Sequence, residues 1–174
     1  NGWHNVGLND LQVKNVRLTI YPHNEKTISI LSHNKWYGKQ GVGFDYYCLY
    51  TILENGCLYM NNRIVLFGDL PVLPRIGISM HIDGSLDRIR WYGRGPYESY
   101  PDRKAGAAIG IYESTVKEQG DYYIRPQEMG NKEDVRWLNL MDESSKGIAI
   151  VSENTLSMSA LQYTSKALDE ARHM

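Results

Sequence analysis

Near the middle of the 174-residue chain stands the run Arg90-Trp91-Tyr92-Gly93-Arg94-Gly95-Pro96-Tyr97-Glu98-Ser99-Tyr100-Pro101-Asp102-Arg103. Its glycines and prolines interrupt the hydrogen-bond ladder that an ordinary strand needs. Its tryptophan and tyrosines carry too much apolar area for a solvated linker. The run therefore predicts a strand that ends at Tyr92, followed by an ordered loop with buried tyrosine faces and paired charges. A second loop of the same style is predicted at residues 125–131.

Apolar and polar residues alternate on both sides of this run, as is typical of half-buried strands. The Asn55-Gly56 pair predicts a type I′ hairpin turn. Further turns are predicted at residues 22–25, 83–84 and 143–147. The predicted strands cover residues 16–21, 28–31, 46–53, 58–60, 64–67, 76–80, 86–92, 105–112, 135–140, 148–151 and 156–161.

Ten to twelve short strands separated by turns favour an all-β fold, a large antiparallel β-sandwich. Only residues 165–172 have a helical pattern, with Ala167, Leu168 and Ala171 on one face, so we expect at most one short helix. The chain contains no repeat, low-complexity tract or linker, which predicts a single domain over residues 1–174. Because it begins Asn1-Gly2-Trp3, without methionine, we interpret it as a fragment of a longer polypeptide.

Composition argues against two classes of partner. A net charge of −1 does not suit a nucleic-acid surface, and no run of eighteen apolar residues could span a membrane. Thirteen tyrosines against two phenylalanines favour sheets with ring edges at surfaces or clefts. Cys48 and Cys57 flank a predicted hairpin turn; a disulfide is conceivable, but we favour two free thiols, and the compartment stays undetermined.

Three carboxylates of the two loops are candidates for chemistry: Glu98, Asp102 and Glu128. Two such groups that face each other across a cleft can hydrolyse a glycoside. We favour a structural role, in which Asp102 and Glu128 accept hydrogen bonds from the arginines of the two loops, because an ion-paired carboxylate is a poor general acid. The histidines lack metal-ligand spacing, so no metal site is predicted. They are His4, His23, His33, His81 and His173.

Aromatic side chains of the loops could stack on the apolar faces of sugar rings. We favour core packing for Trp91 and Trp137, which lie inside strand patterns, over sugar stacking. For Tyr97 and Tyr100 both interpretations stay open.

Several motifs together resemble a known family. They are Leu73-Pro74-Arg75-Ile76-Gly77, the run from Trp91 to Arg103, Tyr123-Ile124-Arg125-Pro126-Gln127-Glu128, Gly130-Asn131 and Val135-Arg136-Trp137. In order and spacing they resemble the C-terminal "small chain" domain of family-two glycoside hydrolase β-galactosidases, from about Gly7 to Thr164. One departure is Met129, where the family commonly has a polar residue; this puts a polar contact from that loop tip in doubt.

The resemblance implies a β-sandwich of the galactose mutarotase-like supersandwich type at the end of a multidomain enzyme. Such an enzyme cleaves terminal β-galactosides with retention, using glutamates of a separate (β/α)8 barrel. It therefore implies no catalytic residue and no cofactor in this fragment, although parent enzymes often use Mg and Na ions. The expected partners are the other domains of the same polypeptide, above all the barrel, together with the β-galactoside substrate in a homo-oligomeric parent. The expected location is the cytoplasm or periplasm of a bacterium.

The resemblance also implies an active-site loop before this segment and a sugar-stacking tryptophan after it, so the isolated fragment is expected to be inactive. Its role would be to stabilise the barrel and shape the substrate entrance. The candidate carbohydrate or domain-interface contacts are Arg94, Tyr97, Glu98, Tyr100, Asp102, Arg103, Arg125, Gln127, Glu128, Asn131 and Trp137.

Two alternatives from other functional classes stay open. In the first, the chain is a stand-alone galactoside-binding sandwich with a shallow cleft formed by Tyr97, Tyr100, Trp137, Arg125 and Glu128. In the second, it is an epimerase like the mutarotases, which needs a general base and acid near the sugar ring. Glu128 could be one of these groups, but neither loop contains a suitable histidine partner.

Overall fold

A computed structural model describes residues 2–73, 75–120, 123 and 127–171, apart from the side chain of Asp169. The chain divides into two compact units, Asn1–Ile78 and Ser79–Met174. Each unit contains one four-stranded antiparallel sheet.

The first unit is a meander of four long strands. A one-turn helix, α1 (Gly2–Asn5), precedes β1 (Gln12–Asn24), β2 (Thr27–Tyr37), β3 (Gly43–Leu53) and β4 (Leu58–Phe67). The strands lie side by side in chain order, so each pair is joined by a short connection. Its most buried apolar side chains are Val6, Val42 and Cys48.

The turn between β1 and β2 lies at residues 25–26, later than the turn predicted at residues 22–25. The Asn24 side chain accepts a hydrogen bond of 2.8 Å from the backbone N–H of Lys26, which stabilises this turn. Pro22 lies inside β1, paired with Ile28. An edge strand tolerates proline because one side of its backbone needs no ladder partner.

The hairpin predicted at Asn55-Gly56 is present between β3 and β4, but its turn is not of type I′. Gly56 has a φ of +83°, whereas Asn55 has no positive φ. The Gly56 N–H donates to the Leu53 carbonyl at 3.1 Å, and the Leu53 N–H donates to the Cys57 carbonyl at 3.0 Å. This is a three-residue loop, a type I turn followed by a left-handed glycine, so only one of the two positions needs glycine.

The second unit forms a sheet with the strand order β6-β5-β7-β8. Its strands are β5 (Arg88–Gly95), β6 (Ala108–Thr115), β7 (Lys132–Met141) and β8 (Gly147–Met158), with a 3₁₀ turn at Lys117–Gln119. The helix α2 (Ser165–Glu170) begins after Thr164, whose hydroxyl accepts a hydrogen bond from the Ala167 N–H at 3.1 Å. The helix predicted at residues 165–172 is thus present but ends at Glu170, because Ala171 is its extended C-cap.

One face of this second sheet forms the core of the unit. Ile89, Trp91, Val135, Leu138 and Leu140 are buried there together. The Trp91 indole N–H donates to the Arg94 carbonyl at 2.9 Å, so the one polar atom of this side chain is satisfied.

The predicted all-β class is confirmed, since the two antiparallel sheets and very short helices are consistent with a β-sandwich. The described residues form eight strands and not ten to twelve. Predicted strands 58–60 and 64–67 are one strand, β4, and residues 148–151 and 156–158 belong to one strand, β8. The alternating segment 76–80 has no strand partner, and Ile76, Ile78 and Met80 are each about half exposed.

Three other features bear on the sequence predictions. The helix α1 was not predicted, because four residues are too few to show a helical period. Cys48 is buried and Cys57 exposed, and both are free thiols, as we favoured. Within the described part of the chain, no helix combines the length and apolar character needed to cross a bilayer. The single-domain interpretation stays a prediction.

Replacing Ile89 by alanine should lower the free energy of unfolding by about 2–5 kcal/mol, because it opens a cavity in a fully buried position. Ile111 on the neighbouring strand is 56% exposed, and its replacement by alanine should cost about 1 kcal/mol or less. Urea unfolding followed by tryptophan fluorescence checks both variants. Equal losses for the two isoleucines would contradict this assignment of the core face.

Candidate functional site

The Glu98 carboxylate lies at the centre of the loop that follows β5. Its side chain is only 6% exposed. One carboxylate oxygen accepts hydrogen bonds from the Tyr100 hydroxyl at 3.2 Å and the Gly130 N–H at 2.9 Å. The other accepts hydrogen bonds from the Arg103 guanidinium and the Tyr123 hydroxyl. Glu98 therefore connects its own loop to the segment that precedes β7.

These contacts determine the charge state of Glu98. Burial by itself raises the pKa of the carboxyl, but the hydrogen bonds from Tyr123, Gly130 and Arg103 outweigh it and hold the pKa below its ordinary value. Burial and the neighbouring Glu98 charge raise the pKa of Tyr100, so its hydroxyl remains protonated as a donor. Glu98 is thus an ionised acceptor at neutral pH and has no proton to give as a general acid.

Gly130 can serve as a donor to Glu98 because of its backbone conformation. Its φ is +70°, and a Cβ at this position would lie 2.3 Å from the Gln119 carbonyl oxygen. Only glycine avoids both the left-handed strain and this close approach. The preceding Met129 is fully buried. The Met129 side chain therefore packs among apolar groups in place of the polar contact that the sequence put in doubt, while the backbone turn is kept.

A second network surrounds Arg94, at the end of β5. Its Nε donates to Asp134 Oδ2 at 2.6 Å, and its terminal nitrogen donates to the carbonyls of Lys104 and Ala107 at 3.0 and 2.9 Å. The Lys104 Nζ lies 2.9 Å from Asp134 Oδ1 and 3.2 Å from Glu133 Oε2. Hydrogen bonds from Lys104 and Arg94 lower the pKa of Asp134. This network attaches the loop to the start of β7.

Asp134 is presented to the two cations by an irregularity in β7. Its φ is +54°, and the pairing of β7 with β8 shifts register between Lys132 and Val135. A bulge of this kind redirects a side chain that the regular pleat would place elsewhere.

Buried amide and hydroxyl groups make further contacts between this loop and the start of β7. The Asn131 Nδ2 donates to the Ser99 carbonyl at 2.7 Å and to Glu133 Oε1 at 3.0 Å, and the Ser99 hydroxyl accepts from the Glu133 N–H at 2.9 Å. From β8, the Ser157 hydroxyl donates to Glu133 Oε1 at 2.6 Å. Burial by itself raises the pKa of the Glu133 carboxyl. Hydrogen bonds from Ser157, Asn131 and Lys104 lower it by more, so the pKa lies below its ordinary value.

Arginines stabilise the loop that follows β5, as predicted, but through carboxylates other than Asp102. Arg103 pairs with Glu98, and Arg94 pairs with Asp134. Asp102 is exposed and has no hydrogen bond or ion pair to any described residue. Sequence proximity favoured Asp102, whereas the fold buries Glu98 where the donors converge and the β7 bulge brings in Asp134. The predicted hydrogen bond from an arginine to Glu128 stays a prediction.

Among the described residues, the side chains of Tyr97 and Gln127 do not join these networks. Tyr97 is 74% exposed, and Gln127 and Glu128 are exposed; the Glu128 carbonyl accepts a hydrogen bond of 3.5 Å from the Tyr100 hydroxyl. Arg125 lies outside the described residues. The structure therefore brings together Arg94, Glu98, Tyr100, Arg103 and Asn131, and their proposed contacts with carbohydrate or another domain stay predictions.

The two tryptophans of the strand patterns behave differently. Trp91 belongs to the core, as predicted. The core assignment of Trp137 is wrong: it is half-buried on the opposite face of the sheet, beside Tyr92 at a ring distance of 6.4 Å. The two residues lie in adjacent paired strands, and the pleat alone decides which face each takes.

Sequence reasoning missed six members of the networks, which are Ser99, Lys104, Tyr123, Glu133, Asp134 and Ser157. The charged run Lys132-Glu133-Asp134 breaks the alternation just before Val135, and this break was the available signal for a bulge.

The described residues contain no group of three His, Cys, Asp or Glu side chains that could hold a metal ion.

Comparison with known proteins identifies close relatives. A family model described as the beta galactosidase small chain matches residues 1–174. A β-galactosidase of Priestia megaterium is 36% identical over 127 residues, which are 73% of this chain and 12% of the relative. A β-galactosidase of Vibrio cholerae is 32% identical over 173 residues, which are 98% of this chain and 16% of the relative. The matched region is thus a small part of each of these much longer proteins.

Replacing Glu98 by glutamine should lower the free energy of unfolding by about 2–3 kcal/mol, because the amide nitrogen cannot accept the bonds made to an ionised oxygen. Replacing Arg103 by glutamine should cost much less, because its side chain is 56% exposed and water screens its charge. Urea unfolding of the two variants and the wild type measures both losses. A larger loss for Arg103 would show that the exposed ion pair and not the buried carboxylate dominates.

Stability should also depend on pH through Glu98. Its pKa in the folded state is below the ordinary value of 4.5, so its contribution is present above about pH 4.5 and is lost as the pH falls through the folded pKa. The wild type should therefore lose more stability between about pH 6 and pH 3.5 than Glu98→Gln does. Urea unfolding at both pH values tests this; an identical loss in both proteins would contradict it.

Proposed function

The chain belongs to the β-galactosidase small-chain family, and from this membership we propose that it is a non-catalytic domain of a β-galactosidase. The complete enzyme would hydrolyse terminal β-D-galactosides with retention of configuration. Within it, the chain would stabilise the catalytic barrel and shape its substrate entrance. Its relatives are β-galactosidases of which the matched region is only 12% and 16%, which supports a place beside further domains.

The observation that carries the non-catalytic assignment is the state of the carboxylates. A retaining hydrolase needs two carboxyl groups about 5 Å apart, one of them with a raised pKa. Burial by itself would raise the pKa values of Glu98, Glu133 and Asp134. In this chain hydrogen bonds outweigh burial and hold all three pKa values below their ordinary values. These three groups are therefore suited to hold loops in place, and the chemistry would be done by glutamates of the barrel.

The expected partners follow from this role. They are the catalytic barrel and other domains of the same polypeptide, with the β-galactoside bound at the barrel and the whole enzyme a homo-oligomer. We assign no metal to this chain. Mg²⁺ needs several oxygen ligands in near-octahedral geometry, and no suitable cluster of acidic side chains occurs in the described residues.

The two alternative functions gain no specific support. A stand-alone galactoside-binding module would need a flat aromatic platform, but Tyr97 is exposed on a loop and the Trp137 ring already lies under the Arg90 guanidinium at 6.0 Å. A mutarotase-like epimerase would need a general acid and base in one site. Glu128, the residue considered for one of these roles, is exposed, and neither loop contains a histidine to serve as the second group.

Hydrolysis of a nitrophenyl β-galactoside tests the proposal. The complete enzyme that carries this chain should hydrolyse the substrate with retention, which is measured by NMR of the first anomer released. Residues 1–174 expressed alone should show no turnover above buffer. Turnover by the isolated chain would refute the non-catalytic role, and an inactive complete enzyme would refute the assigned activity.

A further inference from the structure

The second sheet has an outer face that the proposed function does not yet explain. Ile111, Tyr92, Trp137 and Val151 are paired in register across β6, β5, β7 and β8. Residues paired in this way lie on the same face of a sheet. They form one continuous apolar row across all four strands, opposite the face that carries Trp91 and the core.

The two ends of this row are open to solvent. Ile111 is 56% and Val151 is 74% exposed. Single exposed aliphatic residues need no explanation, but a row that includes a tryptophan and a tyrosine is a contiguous patch. Exposed apolar patches rimmed by polar groups mark interaction sites.

Arginines flank the two rings of the row. The Arg90 guanidinium lies 6.0 Å from the centre of the Trp137 ring, and that of Arg136 lies 5.1 Å from the centre of the Tyr92 ring. Arg136 also donates to the backbone carbonyl of Asp134 at 2.5 Å. Neither arginine forms an ion pair with a carboxylate among the described residues, whereas neighbouring Arg88 pairs with Glu113 at 2.6 Å.

We propose that this arginine–aromatic face, formed by Arg90, Tyr92, Ile111, Arg136, Trp137 and Val151, docks against another domain of the same β-galactosidase. The proposal rests on the proposed function, because it assigns the contact between this chain and the rest of the enzyme to one surface. The partner surface would have an apolar centre that meets the row and carboxylates that meet Arg90 and Arg136.

The composition of the face favours a protein partner over a sugar. Tryptophan, tyrosine and arginine are the residues in which interface hot spots are enriched. A sugar ring stacks on an open aromatic face, but here a guanidinium lies over each ring. The exposed Ile111 and Val151 also offer nothing that a hydroxyl could bond. Arg90 and Arg136, which form no ion pair with a described carboxylate, would complement an acidic partner surface and favour one orientation of docking.

A photo-cross-linking amino acid at position 151 of the complete enzyme tests the proposal. We expect cross-links, located by mass spectrometry, to a carboxylate-containing surface outside residues 1–174 of the same enzyme. A matched control carries the cross-linker at position 143, an exposed position in the turn between β7 and β8, and should give no cross-link to that surface. Cross-links confined to residues 1–174, cross-links to a second copy of this chain, or none in the folded enzyme would overturn the proposal.

Charge variants test the role of the arginines. Arg90→Glu combined with Arg136→Glu should lower the yield of the cross-link from position 151 about tenfold or more, because like charges would face each other. The matched Arg90→Lys, Arg136→Lys enzyme keeps both charges and should retain most of the yield. Equal yields in the two double variants would overturn the charge complementarity. Galactoside hydrolysis by the wild-type enzyme is measured in parallel, so failure of the proposed activity is distinguished from failure of the docking assignment.

Discussion

A buried negative charge holds the loop that follows β5 to the segment that precedes β7. A carboxylate that is only 6% exposed is very unfavourable unless donors replace the water it has lost. Glu98 obtains them from a guanidinium, two hydroxyls and a backbone N–H. Since two of these donors, Tyr123 and Gly130, lie 25 and 32 residues further along the chain, satisfying one charge brings two distant segments together.

The Arg94 network has the same logic at the neighbouring end of β5. Its planar guanidinium bonds one carboxylate and two carbonyls, which places the loop against the start of β7. Asp134 can accept these bonds only because a bulge holds it at a positive φ. A local distortion and a partly buried ion pair therefore support each other, and both favour rigid loops over reactive carboxylates.

Sequence reasoning was most successful where the signal is local. Period-two alternation located β1 and β3, and the Asn55-Gly56 pair located a hairpin. The strand predicted to end at Tyr92 is present as β5 but continues to Gly95, because its two glycines pair with Gly110 and Ala108 of β6. Sequence reasoning failed where the answer depends on contacts between distant residues. Asp102 was a natural partner by proximity, but Arg103 pairs with Glu98 and Arg94 pairs with Asp134, because burial and a bulge decide which carboxylates meet the donors. Likewise, residues 76–80 alternate as a strand would, but alternation does not supply a neighbouring strand to pair with.

The two networks also determine what the second sheet can present to a partner. Alternation along β5 places Trp91 in the core and directs Arg90 and Tyr92 to the other side. The outer face keeps its register only if β5 and β7 stay paired up to Tyr92 and Trp137, where the loop networks begin. Glu98 and Arg94 thus act on this surface indirectly: by fixing the ends of two central strands, they preorganise a flat row of apolar and aromatic groups. A preorganised surface loses less conformational entropy on docking. Buried charges that hold such a surface in place can therefore favour docking even in a domain without catalytic residues.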